Sequence, residues 1–503
     1  MIGDLWAASA GDLAHHAGKL ALLGLDLLLA GVASGHAILY KRDSRSAIAW
    51  VGFIWLVPLG GAVLYFILGI NRIRRQAVLL RRGLERYRAH AALPACPPDE
   101  LPHHLPVHTG HLNMLARVVN GVVARPLLPG NQIEPLLDGD EAYPAMLEAI
   151  RQARRTVAFY TYIFDRDAAG LAFARALGEA TRRGVEVRVL IDAAGTRYSW
   201  PTILRALRRE GVRFARFLPS LALWHLMAVN LRTHRKILVA DGRLGFTGGM
   251  NIRAGHCLKG FGGGAGDGPA RPPRHPVRDI HFRVRGPVVA QLQEVFVDDW
   301  LFTTGELLRG EDWFPHPEPA GPVLARGVPD GPDEDFEKLR WTLLGALAIA
   351  RYAVRIVTPY FLPDPALISA LNVAAKRGVR VDIILPAKNN LPFVGWASRA
   401  MWWQVLEHGC HIWLTPPPFD HTKLMLVDGC WVLLGSANWD PRSLRLNFEY
   451  NLECYDAELA RRLEEIVAAR IATARPVTLA DVDARSLPIR LRDGLARLFT
   501  PYL

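Results

Sequence analysis

Two stretches of the chain carry the same chemically capable side chains at the same spacing. The first is His234-x-Lys236, then Asp241, then Gly248-Gly249-Met250-Asn251. The second is His421-x-Lys423, then Asp428, then Gly435-Ser436-Ala437-Asn438. In a strand, residues i and i+2 share a face, so each histidine projects beside its lysine. Asp241-Gly242 and Asp428-Gly429 lie between apolar runs, as tight hairpin turns do, and both aspartates read as turn-forming members of the motif. The return strand then brings glycine, serine and asparagine back beside the histidine and lysine. Glycine permits close backbone approach, while Ser436, Asn251 and Asn438 add neutral hydrogen-bonding groups. Two copies meeting would gather two imidazoles, two ammonium groups and two carboxamides, a set suited to a tetrahedral phosphate. A single H-x-K in a strand is more often surface decoration. Two full copies make coincidence remote.

A catalytic histidine needs a fixed tautomer, usually set by a carboxylate on its other nitrogen. Asp279 and Glu449 are the candidates, each opening an extended segment after its own motif (DIHFRVRG and EYNLECYD). A strand-end surface acid is the equally open alternative for both. His225, His281 and His411 stand alone and read as structural. The cationic side chains can do a metal's work on phosphate, so neither a metal nor a cofactor is expected.

The elements that must position these groups repeat. Glu141 to Arg154 is helical by periodicity, Thr156 to Phe164 is β-branched and aromatic, Leu171 to Arg183 is helical, and Gly184 to Asp192 is a buried strand. The order recurs as Glu337 to Arg351, Ala353 to Phe361, Pro365 to Arg377 and Gly378 to Pro386. Alternating strands and helices imply two α/β units with mostly parallel sheets. The expected domains are 131–310 and 311–503, the second with a helical tail. Between them, 262–276 is a Gly/Pro-rich insertion without a fold of its own. The apolar stretches 221–231 and 397–403 read mainly as core, with an acyl-chain groove as the alternative.

Ahead of these lies an apolar region, 1–75. Ala47 to Ile70 is free of charge for 24 residues, long enough to cross a hydrocarbon core of about 30 Å. Leu20 to Tyr40 is a second candidate, carrying Asp26 and His36. Together they predict a transmembrane helical hairpin. Arginines crowd 71–90, which places the large C-terminal portion in the cytoplasm. The basic loop 41–46 argues weakly for the opposite side. Residues 76–130 read as a basic juxtamembrane segment followed by a Pro- and His-rich linker.

The whole chain of 503 residues holds 60 Lys and Arg against 48 Asp and Glu, a formal charge of +12. That balance favours an anionic partner: nucleic acid, an anionic membrane or a phosphorylated substrate. Five cysteines without a C-x-x-C pair exclude a disulfide scaffold and a structural zinc site.

With these motifs the chain resembles the phospholipase D superfamily, and within it the bacterial cardiolipin synthases. The resemblance also covers Ala49-Trp50, Pro58, Tyr65, Gly69 and Asn71-Arg72, the strand Tyr162-Ile163-Phe164, Arg442-Ser443, Asn447-Phe448-Glu449 and Pro501-Tyr502-Leu503. It implies two duplicated α/β domains packed with the active site between them. It implies a phosphatidyltransferase of the bacterial inner membrane, multi-pass, that joins two phosphatidylglycerols and releases glycerol. His234 would be the nucleophile and His421 the acid/base, by analogy alone. Lys236, Lys423, Asn251, Ser436 and Asn438 would hold phosphate oxygens. The expected partners are phosphatidylglycerol, other anionic phospholipids and the membrane, with no nucleic acid. A phospholipase D using water or a transferase with another alcohol is the next reading, then a nuclease, then a membrane-tethered binder without turnover.

Overall fold

The computed structural model describes residues 2–41, 43–69, 93–218, 231–262, 272–333 and 335–500. The arginines of 71–90, the apolar stretch 221–230 with His225, most of the 262–276 insertion and Pro501-Tyr502-Leu503 lie outside them. The chain divides into two compact units, Met1–Gln76 and Ala77–Leu503.

In the first unit, helix α1 (Ile2–Tyr40) contains one span, His15–Tyr40, long and apolar enough to cross a membrane. The second apolar segment departs from expectation. It forms α2 (Ser44–Leu56), then breaks before α3 (Gly60–Leu64). Pro58 disfavours helical backbone at Val57, and Leu59 turns left-handed at φ 56°. The 13 residues of α2 reach about 20 Å, short of a bilayer core. The N–H of Leu59, freed by the break, donates to Asp26 Oδ1 at 2.5 Å. Ala30, Ala33 and Ala37 form a small-residue stripe on α1 that packs against Ile54, Ala62 and Tyr65. Gly61 lies against the Ile54 backbone, where a Cβ would come within 2.7 Å.

The second unit is built on one mixed sheet. Its first half runs β1 (Leu128–Leu137), β2 (Thr156–Thr161), β3 (Glu186–Asp192), β4 (Phe214–Phe217), β5 (Arg232–Thr233), β6 (Ile237–Ala240), β7 (Leu244–Gly248), β8 (Val277–Arg278) and β9 (Ile280–Arg285). The second half repeats it as β10 (Val323–Asp330), β11 (Ala353–Val357), β12 (Arg380–Pro386), β13 (His411–Thr415), β14 (Phe419–Asp420), β15 (Leu424–Val427), β16 (Trp431–Gly435), β17 (Asn447–Tyr455) and β18 (Arg475–Val477). Spatially the halves read β4-β3-β2-β6-β7-β9-β1 and β13-β12-β11-β15-β16-β17-β10, with β18 outside β13. They join where β1 pairs antiparallel with β10. The expectation of mostly parallel sheets is corrected: in each half only three consecutive sheet strands run parallel. The motif hairpins turn too tightly for a parallel crossover, so β6-β7 and β15-β16 are antiparallel.

Each half has its own core. One gathers Val157, Phe159, Phe173 and Val189 with their neighbours. The other gathers Ile356, Leu371, Ile383 and Trp431, together with Leu101, Leu112, Leu115 and Val119. Those last four fall in the stretch read as linker. There, helix Asn113–Val122 packs on Lys338–Ile349, with Val118 against Gly345.

Candidate active site

The two motif hairpins turn through Asp-Gly pairs with positive φ, Asp241 (51°) with Gly242 (62°) and Asp428 (51°) with Gly429 (64°). This is the backbone of a type I′ turn. The aspartate side chains face away from the chemistry. Asp241 accepts the N–H groups of Arg154, Arg155 and Thr156 at 2.7–3.1 Å. Asp428 accepts those of Arg351, Tyr352 and Ala353 at 2.8–2.9 Å, and His111 Nε2–H at 2.7 Å. Both carboxylates thus tie the motif hairpin to the start of the neighbouring strand.

Each motif is completed by the other half. β5 pairs with the start of β17, and His234 N donates to Phe448 O at 2.8 Å. β8 pairs with β14, and His421 N donates to Arg278 O at 2.8 Å. These crossings carry the carboxylates. His234 Nδ1–H donates to Glu449 Oε2 and Ser436 O, both at 3.0 Å. His421 Nδ1–H donates to Asp279 Oδ2 at 2.8 Å. Every acceptor here is an oxygen, so Nδ1 carries a proton in each ring, and Nε2 is a nucleophile or base when the ring is neutral and an acid when it is protonated. Lys236 donates to His234 O at 2.6 Å, and Lys423 donates to His421 O.

The pseudo-symmetry is imperfect where the carboxylates sit. Ser436 Oγ donates to Glu449 at 2.5 Å and accepts Tyr450 N–H at 3.0 Å. Asn447 adds a bond to the other Glu449 oxygen at 3.1 Å. The corresponding residue beside Asp279 is Gly249, where a Cβ would lie 2.6 Å from the carboxylate. Ser436 Oγ thus spends its proton on Glu449 and one lone pair on Tyr450 N–H. Asn251 accepts Ile163 N–H on Oδ1 at 3.1 Å, leaving its amide nitrogen. Asn438 Oδ1 is buried without a hydrogen-bond partner among the described residues.

Electrostatics bind the groups into one cluster. Burial pulls Lys236 down to about 7 and Lys423 to about 8, and each lysine feels the carboxylates of both halves. Burial also lowers His234, which Glu449 opposes. His421 falls well below the ordinary value through burial and both lysines. Asp279 is pushed up to about 6 by burial. Burial pushes Glu449 up too, yet His234, Lys236 and Ser436 hold it below the ordinary value. A buried cluster of two lysines and two carboxylate-oriented imidazoles can bind a phosphodiester and exchange its ester oxygens.

Several neighbours lie outside the two repeated motifs, Tyr162 among them in a segment that the family resemblance covers. Tyr162 meets His234 edge-on at 5.3 Å between ring centroids, with Lys236 over its face at 5.7 Å. His256 is buried 6.2 Å from the His421 ring, and burial lowers it to about 3. Asp192 Oδ2 accepts the N–H of Thr233 at 2.9 Å, just before His234. The only sequence clue to Asp192 is its place at the end of the strand after Gly184. His256 shows none, because its counterpart five residues past Asn438 is Ser443. Among the lone histidines, His281 is buried with no partner for Nδ1 among the described residues, and His411 lies on β13 with Asp382 at 3.8 Å. Within 397–403, Ala397, Ser398 and Met401 are core, whereas Trp403 is exposed.

Comparison with known proteins agrees with this arrangement. Residues 146–258 and 343–471 match the family described as "Cardiolipin synthase, PLD-like domain", and residues 28–69 match "Phospholipase_D-nuclease N-terminal". Cardiolipin synthase A of Pseudomonas putida is 32% identical, over 96% of this chain and 98% of its own length. A Staphylococcus aureus cardiolipin synthase is 30% identical over 92% of both chains. The crystal structure of phosphatidylserine synthase from Haemophilus influenzae superposes with a TM-score of 0.59 at 15% identity, covering 77% of this chain and all of that one. It supports the fold alone.

Proposed function

The chain belongs to the cardiolipin synthase family of the phospholipase D superfamily, and we propose that it joins two phosphatidylglycerols with release of glycerol. The observation that carries the chemistry is the crossed pair of histidines, each oriented by a carboxylate from the opposite half. His234 Nε2 attacks the phosphorus of the first lipid while His421 gives a proton to the departing glycerol oxygen. A phosphatidyl-histidine results. His421 then takes the proton of a second lipid's headgroup hydroxyl, whose oxygen displaces His234 and restores the enzyme. Lys236, Lys423, Asn251 and Asn438 stabilise the charge that gathers on the non-bridging oxygens. The order of the two histidines rests on the family analogy.

The test uses full-length protein in mixed micelles containing phosphatidylglycerol, with lipid products identified by mass spectrometry and glycerol quantified. Cardiolipin and equimolar glycerol are expected, both lost in His234→Asn and His421→Asn. Phosphatidic acid without cardiolipin would make water the acceptor and the protein a hydrolase.

For location, the reading is the bacterial inner membrane with the catalytic region on the cytoplasmic side. The broken second segment fits a re-entrant element better than a second crossing, because α2 is short and its break is capped by Asp26. Re-entry also puts the basic loop 41–46 and the arginines of 71–90 on one side, as the positive-inside rule favours. Thiol labelling of single cysteines in intact cells checks this. An N-terminal cysteine should be reached from outside and one at Ser44 only after permeabilisation. A protected N-terminal cysteine together with a Ser44 cysteine labelled from outside would restore two crossings.

A further inference from the structure

The C-terminal helix Leu487–Leu498 wears its apolar face outward. Leu487, Leu491, Leu495 and Leu498 fall on one side of a 3.6-residue period and are 67, 59, 61 and 70% exposed. The side facing the protein holds Asp493 and Ala496, both buried. Asp493 there accepts from Arg485 at 3.1 Å and from Arg492 at 2.7 Å. The Arg485–Asp493 ion pair and buried Ala496 therefore dock the helix, and its leucines are left over.

At about 100° per residue, Arg490 and Arg497 border one edge of the stripe and Arg492 the other. Arg492 also lies over the Trp396 ring at 4.5 Å. Long cationic side chains flanking leucines can keep their heads at lipid phosphates while the stripe sinks below. A chain of contacts leads from the stripe toward the active site. Phe499 meets exposed Phe393 at 5.6 Å. Asn390, three residues earlier, accepts the Tyr360 hydroxyl at 2.8 Å. Tyr360 touches Phe419, whose ring lies 6.0 Å from that of His421.

We propose that this face is an interfacial surface for an anionic bilayer, separate from the N-terminal span. The helix lies in the membrane plane, leucines at the acyl boundary and arginines among the phosphates. It holds the His421 side of the site at headgroup depth, where a lipid substrate needs only a short excursion. Charge selects this occupant. A second copy docked on the same face would set arginines against arginines, whereas an anionic surface gives Arg490 and Arg497 partners. The inference stands apart from which alcohol the enzyme uses.

The test places an environment-sensitive fluorophore at Leu495→Cys in the full-length protein, in nanodiscs containing acyl-brominated phosphatidylglycerol. The native cysteines among the described residues are all buried, which favours labelling at the new site. Expected are blue-shifted emission and at least about twofold stronger quenching than at a control label on exposed Glu186→Cys. A water-like Leu495 label overturns the proposal. So does a shift that follows protein concentration rather than lipid, the mark of a second copy. These readouts need no turnover, so they stand even if the assigned reaction fails. A second arm uses Leu491→Ser with Leu495→Ser, exposed positions that leave the core untouched. Its rate on vesicle phosphatidylglycerol should fall about fivefold or more, with the rate on a monomeric short-chain analogue within about twofold. Equal loss on both substrates would overturn the proposal.

Discussion

Glu449 and Asp279 decide what the two histidines can do. Each carboxylate fixes a ring so that Nε2 is the reactive nitrogen, and each stabilises the imidazolium formed in half of the cycle. Glu449→Gln and Asp279→Asn should each lower kcat by about 10²–10⁴ while thermal unfolding stays near that of the parent, a split that steady-state kinetics beside calorimetry will read. The pH profile follows from the same groups. Asp279 ionises near 6, so kcat/KM should rise as pH climbs through that value. Lys236 near 7 and Lys423 near 8 lose their charge above those values, so kcat/KM should fall again on the alkaline side. A profile across pH 5 to 9 checks both limbs, and Asp279→Asn should flatten the acid one. The histidines, lysines and asparagines of this cluster were legible from type and spacing. The commitment of Ser436 to Glu449 was not, because a serine beside a strand end looks the same whether it faces a ligand or a neighbour.

At the scale of elements, the motif hairpins are anchored by their aspartates rather than served by them. Asp241→Asn exchanges a charged acceptor of three backbone N–H groups for a neutral one, and about 1–3 kcal/mol of stability should go with it. Asp428→Asn should lose more, since His111 also donates there. Chemical denaturation measures both, and turnover per folded molecule should hold within a few-fold. The period of two and the Asp-Gly turns made these hairpins readable in advance. The break at Pro58 was harder to weigh, because an uncharged run of 24 residues satisfies a length criterion whether or not its backbone is continuous. Residues 93–127 look like a linker by composition, yet their few leucines sit at positions that the second-half core completes.

For the whole molecule, the seam between halves is where two α/β repeats become one enzyme. Asn131 stands on it. Its amide donates to Leu128 O at 2.7 Å and Val323 O at 3.1 Å, and its oxygen accepts Val288 N–H at 2.8 Å. Asn131→Ala should destabilise the protein by about 2–3 kcal/mol, with the motifs of both halves lost in one transition, as denaturant titration followed by hydrogen exchange will show. Separate transitions for the two halves would mean that the seam couples them weakly.

The sequence by itself determined the duplication and the two hairpins, because both are written in local periodicity and spacing, and its repeated motifs carried the resemblance to the family. Only the tertiary structure decided that the carboxylates change sides. His234 and Glu449 are 215 residues apart and His421 and Asp279 are 142 apart, and no local pattern encodes such a pairing. It follows from β5 and β8 crossing to pair with strands of the opposite half, where the two halves of the sheet join through β1 and β10.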